Sequence, residues 1–186
     1  EAGGRPLAGM VSRLAEQKGA DVLAGALDEI VALGYDVVVL GTGERRYEEV
    51  LAAGELAHPG RVTVLRRFDE RIAHLIYAAS DVFLMPSRYE PCGLGQMSAM
   101  RYGTLPVVHR TGGLADTVTD AGRKDGTGFV FDSVTPTGLL AALSRAKVVL
   151  ADPKRLSRMR KAGMARDFSW TASARKYVEL YEGLLA

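Results

Sequence analysis

Short apolar runs alternate with longer amphipathic stretches along the whole chain. The short runs are almost entirely apolar instead of alternating with polar residues, which is typical of strands buried on both faces of a parallel sheet. Six of them predict strands, over Leu7–Val11, Val37–Leu40, Val62–Leu65, Val82–Met85, Leu105–Val108 and Gly128–Phe131.

The stretches between the runs carry the spacing of helices. Leu23, Leu27 and Ile30 share one face with Val31, at the i, i+4, i+7, i+8 spacing of an amphipathic helix after the first strand. Asp69 is a candidate N-cap, because its carboxylate can accept from a free N–H of the following turn. Further helices are predicted over 44–57, 70–79, 95–102, from Thr135 to about Leu150, from Pro153 onwards, and from Trp170 to Leu185.

This alternation of strand and helix with short connections predicts an α/β fold. The expected architecture is a doubly wound, mostly parallel, Rossmann-like sheet with helices on both faces. Ligands of such sheets bind outside the carboxyl ends of the strands, so the loops that follow the strands are where chemistry is expected. The sequence shows no internal repeat, low-complexity segment or second domain.

Composition and charge exclude several classes of protein. The chain has 186 residues, 47% hydrophobic and 25% charged, which fits one globular domain with a real core. A net charge of +2 is too small to indicate a nucleic-acid partner, and no apolar run is long enough to indicate a membrane span. The single cysteine, Cys92, cannot form an internal disulfide, which suits a cytoplasmic protein. Because there is no initiator Met and strand-like sequence begins at once, we expect a piece of a longer polypeptide.

Cations and glycines follow the first two predicted strands. Arg13 and Lys18 flank a loop that leads into a helix, where they would hold a pyrophosphate together with the helix dipole. From spacing alone, two solvated surface cations are the favoured interpretation. Gly41 and Gly43 follow the second strand, but a dinucleotide fingerprint would need a third glycine where Arg46 stands. A nicotinamide dehydrogenase is therefore excluded.

The loop after the fourth predicted strand is the richest in candidate chemistry. Pro91 disfavours helix at Glu90 and so places this carboxylate in extended backbone. Gly93 and Gly95 then open a helix whose free N–H groups suit phosphate oxygens or sugar hydroxyls. Beside an anion site, Glu90 makes sense as an acceptor from neutral sugar hydroxyls, while a surface salt bridge is the alternative.

Two further loops contribute candidates at the same edge of the sheet. Phe68, after the third strand, is suited either to stacking on a nucleobase or to the core. Thr111, followed by Gly112 after the fifth strand, could donate to a phosphate or cap the next helix. The convergence of these loops on one edge is a stronger indication of a site than any one of them.

Four runs of residues resemble glycogen and starch synthases. The runs E-P-C-G-L and R-T-G-G-L-A-D-T are specific to this family, and the resemblance covers nearly the whole chain. The matching runs lie at 12–19, 87–94, 102–118 and 168–174.

The resemblance implies the C-terminal half of a two-domain GT-B glycosyltransferase, with 1–186 as the nucleotide-sugar binding domain and the N-terminal acceptor-side domain absent. The implied reaction is retaining transfer of glucose from ADP-glucose or UDP-glucose to the non-reducing end of an α-1,4-glucan. The implied catalytic residues are Arg13 and Lys18, on the donor's diphosphate, and Glu90, on the glucose hydroxyls. No cofactor is implied.

The resemblance also implies how the donor is held. An aromatic ring would stack on the base, a loop would line the sugar and phosphate site, and a helix start would lie near the phosphates. The implied substrate-binding residues are Phe68, Cys92, Gly93, Leu94, Thr111 and Gly112.

Other interpretations remain open at this stage. A sucrose- or trehalose-type transferase of the same architecture is one, although Cys92 and its neighbours argue against it. A nucleotide-binding module without catalysis is another. His58, His74 and His109 have no metal-site spacing, so no metal is expected and we expect all three to be structural or on the surface. Trp170 is expected to anchor the last helix, which the resemblance implies packs back toward the partner domain.

Overall fold

The computed structural model describes residues 4–185, which contain one six-stranded sheet. All five strand pairings are parallel, and the strand order is β3-β2-β1-β4-β5-β6. The strands are β1 (Leu7–Val11), β2 (Asp36–Leu40), β3 (Val62–Leu65), β4 (Val82–Met85), β5 (Leu105–His109) and β6 (Phe129–Phe131).

The described residues form eight α-helices, which connect the strands and complete the chain. A single 3₁₀ turn, Glu16–Lys18, precedes the first of them. The helices are α1 (Ala20–Ala32), α2 (Arg45–Ala57), α3 (Glu70–Ala79), α4 (Gly95–Tyr102), α5 (Gly112–Thr117), α6 (Pro136–Leu150), α7 (Pro153–Met164) and α8 (Trp170–Leu185).

Helices cover both faces of the sheet. Side chains alternate between the two faces along each strand, so an apolar strand presents apolar side chains to the helices on both sides. In β4, Val82 and Leu84 join the larger core cluster together with α1, α2 and α6. Phe83 points to the opposite face, where it packs with Ile76 of α3 and Ala99 of α4. This arrangement explains why the strands are apolar throughout, and it confirms the predicted doubly wound sheet.

The predicted elements agree with the observed ones to within a residue or so at most ends. The Asp69 carboxylate accepts from the backbone N–H of Ile72, 3.0 Å away, and so caps α3 as predicted. Thr135 caps α6 in the same way, since its hydroxyl accepts from the N–H of Gly138 at 3.1 Å. The starts of α3 and α6 were therefore predicted correctly from their polar capping residues.

The prediction for Trp170 is wrong within the described residues. Its side chain is 90% exposed, and helix α8 contains no buried residue. Tyr177 and Tyr181 of the same helix are also exposed, although their rings lie 6.4 Å apart. No other part of residues 4–185 covers these exposed aromatic side chains of α8.

Strands β1 and β4 are neighbours at the centre of the sheet, where the chain order reverses direction. In doubly wound sheets this reversal separates the loops that follow the two strands and opens a crevice between them. Residues 12–19 follow β1 and residues 86–94 follow β4. Within residues 4–185, we find no helix with the length and apolarity that crossing a bilayer requires.

Candidate functional site

A cavity of about 150 Å³ lies at the crevice between β1 and β4. Its walls come from the ends of these strands, the loops after them and one side chain of α3. Burial raises the pKa of that side chain, Tyr77. The lining residues are Met10, Val11, Ser12, Arg13, Lys18, Tyr77, Leu84, Met85, Ser87, Glu90, Leu94 and Gly95.

Lys18 and Glu90 meet in this cavity as an ion pair. The Lys18 Nζ lies 2.5 Å from Glu90 Oε2, and the side chains are only 18% and 9% exposed. The Ser87 hydroxyl also donates to Glu90 Oε2, at 3.3 Å. Arg13 lines the same cavity, and its guanidinium forms no ion pair with any residue between 4 and 185. Glu90 is therefore a buried carboxylate with a partner, which rules out a solvent-exposed surface salt bridge.

Arg88, which we did not select from the sequence, clamps the two loops together. Its guanidinium donates to both carboxylate oxygens of Asp21 at 2.7 Å, and to the carbonyl of Glu16 at 2.9 Å. The hydrogen bond from Arg88 lowers the pKa of Asp21, against a smaller opposing effect of burial. The backbone N–H of Arg88 donates to the Gln17 carbonyl at 2.9 Å. These contacts fix the loop that carries Lys18 beside the loop that carries Glu90.

Gly19 permits this close approach of the loops. Its φ is +73°, a left-handed conformation that side chains rarely adopt, and a Cβ here would lie 2.2 Å from the carbonyl oxygen of Pro86. A larger residue at this position would push the Lys18 loop away from β4.

A second cavity, of about 200 Å³, adjoins the first and shares Val11, Ser12 and Arg13 with it. Its other walls come from Leu40 at the end of β2, from the loops after β2 and β3, which include Phe68, and from Ala73 of α3. The Phe68 side chain is 92% exposed, so it is not a core residue and its ring is free to receive a planar group.

The loop after β5 and the start of α5 pack on the backbone of the Glu90 loop. The Gly113 N–H donates to the Glu90 carbonyl at 3.0 Å. Thr111 precedes α5 without capping it through its side chain, because its hydroxyl donates to the Arg88 carbonyl at 3.2 Å. Gly112 is exposed beside it, as are Cys92 and Leu94 on the neighbouring loop. All nine residues singled out from the sequence thus lie at the carboxyl ends of the strands, between each strand and the first residue of the next α-helix.

The remaining polar clusters have structural partners. Among the described residues, no three His, Cys, Asp or Glu side chains are grouped to hold a metal ion. His58 pairs with Asp28 at 2.7 Å, and His74 contacts the Tyr102 hydroxyl at 3.0 Å. His109 lies 2.8 Å from the Ser87 carbonyl and holds the ends of β4 and β5 together.

A larger cavity of about 870 Å³ lies beside β6 and shares no lining residue with the two cavities above. Its arginines are mostly paired with acids. Arg145 binds Asp120 at 3.0 Å and Arg110 binds Asp132 at 2.5 Å. Such partly exposed ion pairs contribute little to the stability of the fold. The acids also neutralise the arginine charge that a ligand would otherwise meet.

Comparison with known families places this fold among the glycosyltransferases. Residues 1–166 match the family model described as glycosyl transferases group 1. The chain therefore belongs to this family.

Within the family, the chain is similar to glycogen synthases. It is 52% identical over 180 residues to a glycogen synthase of Anaeromyxobacter dehalogenans, and 51% identical over 183 residues to that of Geotalea daltonii. These matches cover 96% and 97% of this chain but 38% of each relative, so the chain spans under two fifths of their length. The resemblance predicted from the four motifs is confirmed.

Solved structures agree with this placement. The catalytic domain of starch synthase IV from Arabidopsis thaliana, bound to ADP and acarbose, superposes with a TM-score of 0.89 at 36% identity. That match covers 98% of this chain and 39% of the other. A sucrose-phosphate synthase from Thermosynechococcus elongatus gives a TM-score of 0.75 at 28% identity, covering 98% of this chain and 46% of the other.

Proposed function

We propose that this chain is the donor-binding domain of a retaining glycogen or starch synthase. The enzyme would transfer glucose from ADP-glucose or UDP-glucose to the non-reducing end of an α-1,4-glucan. Residues 1–186 would form the donor side of the active site, and an N-terminal domain outside this sequence would bind the acceptor. The glycogen synthases and the starch synthase similar to this chain, all of them longer, support this division.

The observation that carries the proposal is the pair of adjoining cavities that share Arg13. The one that holds Phe68 would take the base. The one that holds Lys18 and Glu90 would take the sugar and its phosphate. Arg13, on the wall common to both, would lie where the diphosphate joins base and sugar. One nucleotide sugar would thus use both cavities at once.

Lys18 and Glu90, which pair with each other without a ligand, would each contact the donor once it binds. An arriving diphosphate would attract Lys18 and repel the Glu90 carboxylate. Glu90 would then accept hydrogen bonds from the neutral glucose hydroxyls, which would replace Lys18 as hydrogen-bond donors to the carboxylate. Cys92, Gly93 and Leu94 would border the sugar and phosphate, with Thr111 and Gly112 near the phosphates.

Positive charge at this position would also lower the barrier to reaction. As the bond from glucose to phosphate breaks, negative charge grows on the diphosphate and positive charge on the sugar ring. Lys18 and Arg13 would stabilise the growing anion, which is the kind of preorganised electrostatic effect that contributes most to many enzymes.

The test is glucosyl transfer by the complete polypeptide that carries this chain. We expect labelled glucose from ADP-glucose or UDP-glucose to appear in an α-1,4-glucan with its anomeric configuration retained. The isolated 186-residue chain is expected to bind nucleotide weakly and give no detectable transfer. Transfer to a fructose-type acceptor in preference to glucan would move the protein to the sucrose branch, and no transfer to any acceptor would refute the proposal.

A further inference from the structure

Gln96 is a buried polar side chain that none of the roles proposed above involves. It is 0% exposed at the second position of α4. Its amide nitrogen donates to the carbonyls of Cys92 at 3.1 Å and Gly93 at 3.0 Å. The same nitrogen lies 3.0 Å from the Thr117 hydroxyl, while the amide oxygen has no partner among the described residues. The Cys92 carbonyl, the Gly93 carbonyl and the Thr117 hydroxyl all accept hydrogen bonds here. The amide of Gln96 must therefore turn its nitrogen, and not its oxygen, towards them.

These bonds determine which way two backbone N–H groups point. A peptide unit is planar and trans, so its C=O and the N–H of the next residue point in opposite directions. Since the Cys92 and Gly93 carbonyls point towards Gln96, the N–H groups of Gly93 and Leu94 point away from it. Neither N–H donates to any residue between 4 and 185.

The local backbone gathers these N–H groups into a concave anion site. Gly93 has a φ of +72°, and Leu94 follows with φ −108° and ψ −30°. A left-handed residue next to a right-handed one turns successive N–H groups towards a common point, where they bind an anion. Leu94 and Gly95 line the cavity of Lys18 and Glu90, so that point lies beside the proposed sugar and its phosphate.

Gln96 is in turn anchored to helix α5. The Thr117 hydroxyl, which accepts from Gln96, donates to the Gly113 carbonyl at 2.5 Å. A Cβ on Gly93 would lie 2.5 Å from the Gln96 amide oxygen, so side chain and loop are in direct contact. The hydrogen bonds of Gln96 therefore hold the loop in this orientation in the structure without a ligand.

We propose that Gln96 is a positioning residue that holds the Gly93 and Leu94 N–H groups towards the donor's sugar-linked phosphate. The inference rests on the proposed function, because it needs a diphosphate in this cavity. Glu90 would receive the sugar, so the nearest phosphate is the terminal one of the free nucleoside diphosphate. A nucleoside monophosphate lacks that group.

Gln96→Met tests the proposal, since it keeps the length of the side chain and removes both N–H donors. In this chain we expect the affinity for ADP or UDP, whichever binds, to fall about tenfold, from weakened hydrogen bonds to a charged group. The affinity for the matching monophosphate should change by no more than about twofold. The monophosphate lacks the phosphate that the two N–H groups would contact. Calorimetric titration measures both. Thr117→Val is the graded comparison, because it removes the anchor of Gln96 and leaves the two loop bonds in place. The diphosphate affinity should fall less than in Gln96→Met, and the monophosphate affinity should not change.

Several outcomes would overturn the proposal. Unchanged diphosphate affinity in Gln96→Met is one, and an equal loss for diphosphate and monophosphate is another, since that indicates general loosening. In the wild-type chain, the amide resonances of Gly93 and Leu94 should shift with diphosphate and not with monophosphate. A failure of that shift would refute the proposal even if the variant does not fold. A wild-type chain that binds no nucleotide at all would instead refute the proposed function.

Discussion

Replacing Lys18 with alanine is expected to lower the turnover of the complete enzyme by a factor of about 10²–10³, the usual cost of losing one preorganised charge at a developing anion. The ammonium group lies in a cavity, 18% exposed, where water screens it poorly. Steady-state kinetics with nucleotide-glucose as the varied substrate measures the change. The loss should fall mainly on kcat, because the leaving diphosphate carries more charge in the transition state than in the bound donor.

The Lys18 variant needs a control for stability. Removing the lysine leaves Glu90, whose side chain is 9% exposed, without its partner, which costs up to about 3 kcal/mol of folding free energy. Lys18→Ala combined with Glu90→Gln removes that unpaired charge and should recover stability in a denaturant titration. Turnover should stay low in the double variant. Near-normal turnover in either variant would remove Lys18 from the mechanism.

Glu90→Gln is expected to separate sugar binding from nucleotide binding. Hydrogen bonds from sugar hydroxyls to a carboxylate are charge-assisted, so the amide should weaken nucleotide-glucose binding and lower transfer by about 10–100-fold. Binding of free ADP or UDP should be unchanged or tighter, because Lys18 no longer has a competing carboxylate. Titrating each variant with nucleotide and nucleotide-glucose gives the comparison.

Ser87→Ala is the matched control for Glu90→Gln. It removes the weaker hydrogen bond to Glu90 Oε2, at 3.3 Å, and leaves the charge. Its effect on both ligands should be small. Equal losses of nucleotide and nucleotide-glucose affinity in Glu90→Gln would contradict the assignment of Glu90 to the sugar.

The strands and most of the site could be predicted because they depend on local pattern. An apolar run between amphipathic stretches becomes a central parallel strand, and the loops after such strands meet at one edge of the sheet. Arg13 and Glu90 were found in this way. Periodicity could not decide between core and surface for Phe68, because a single aromatic after a strand fits both. The 92% exposure of its side chain decides the question.

The interactions between loops could not be predicted from pattern. Lys18 and Glu90 are far apart in the sequence, and only the pairing of β1 with β4 brings them together. Arg88 lies inside a motif that we noted, in the loop after β4, but its partner Asp21 is on helix α1. For Gln96 a local signal exists, since it shares the i, i+3, i+4 spacing of the buried face of α4 with Ala99 and Met100. A polar residue on that face indicates a specific hydrogen-bonding role.

Trp170 marks the limit of the same reasoning. A tryptophan at a helix start usually anchors the helix by burial, whereas Trp170 is 90% exposed within the described residues. Burial depends on which surface faces the helix, and that surface does not follow from the spacing of residues within the helix.

The central claim is that the two cavities beside Arg13 form a site for a nucleoside diphosphate sugar. Calorimetric titration of this chain with ADP, UDP and NAD, repeated on Lys18→Ala, tests it most directly. We predict binding of ADP or UDP that weakens about tenfold or more in the variant, as expected for a lost charge-assisted contact. Binding of NAD alone, or nucleotide binding that does not respond to the loss of Lys18, would contradict the claim.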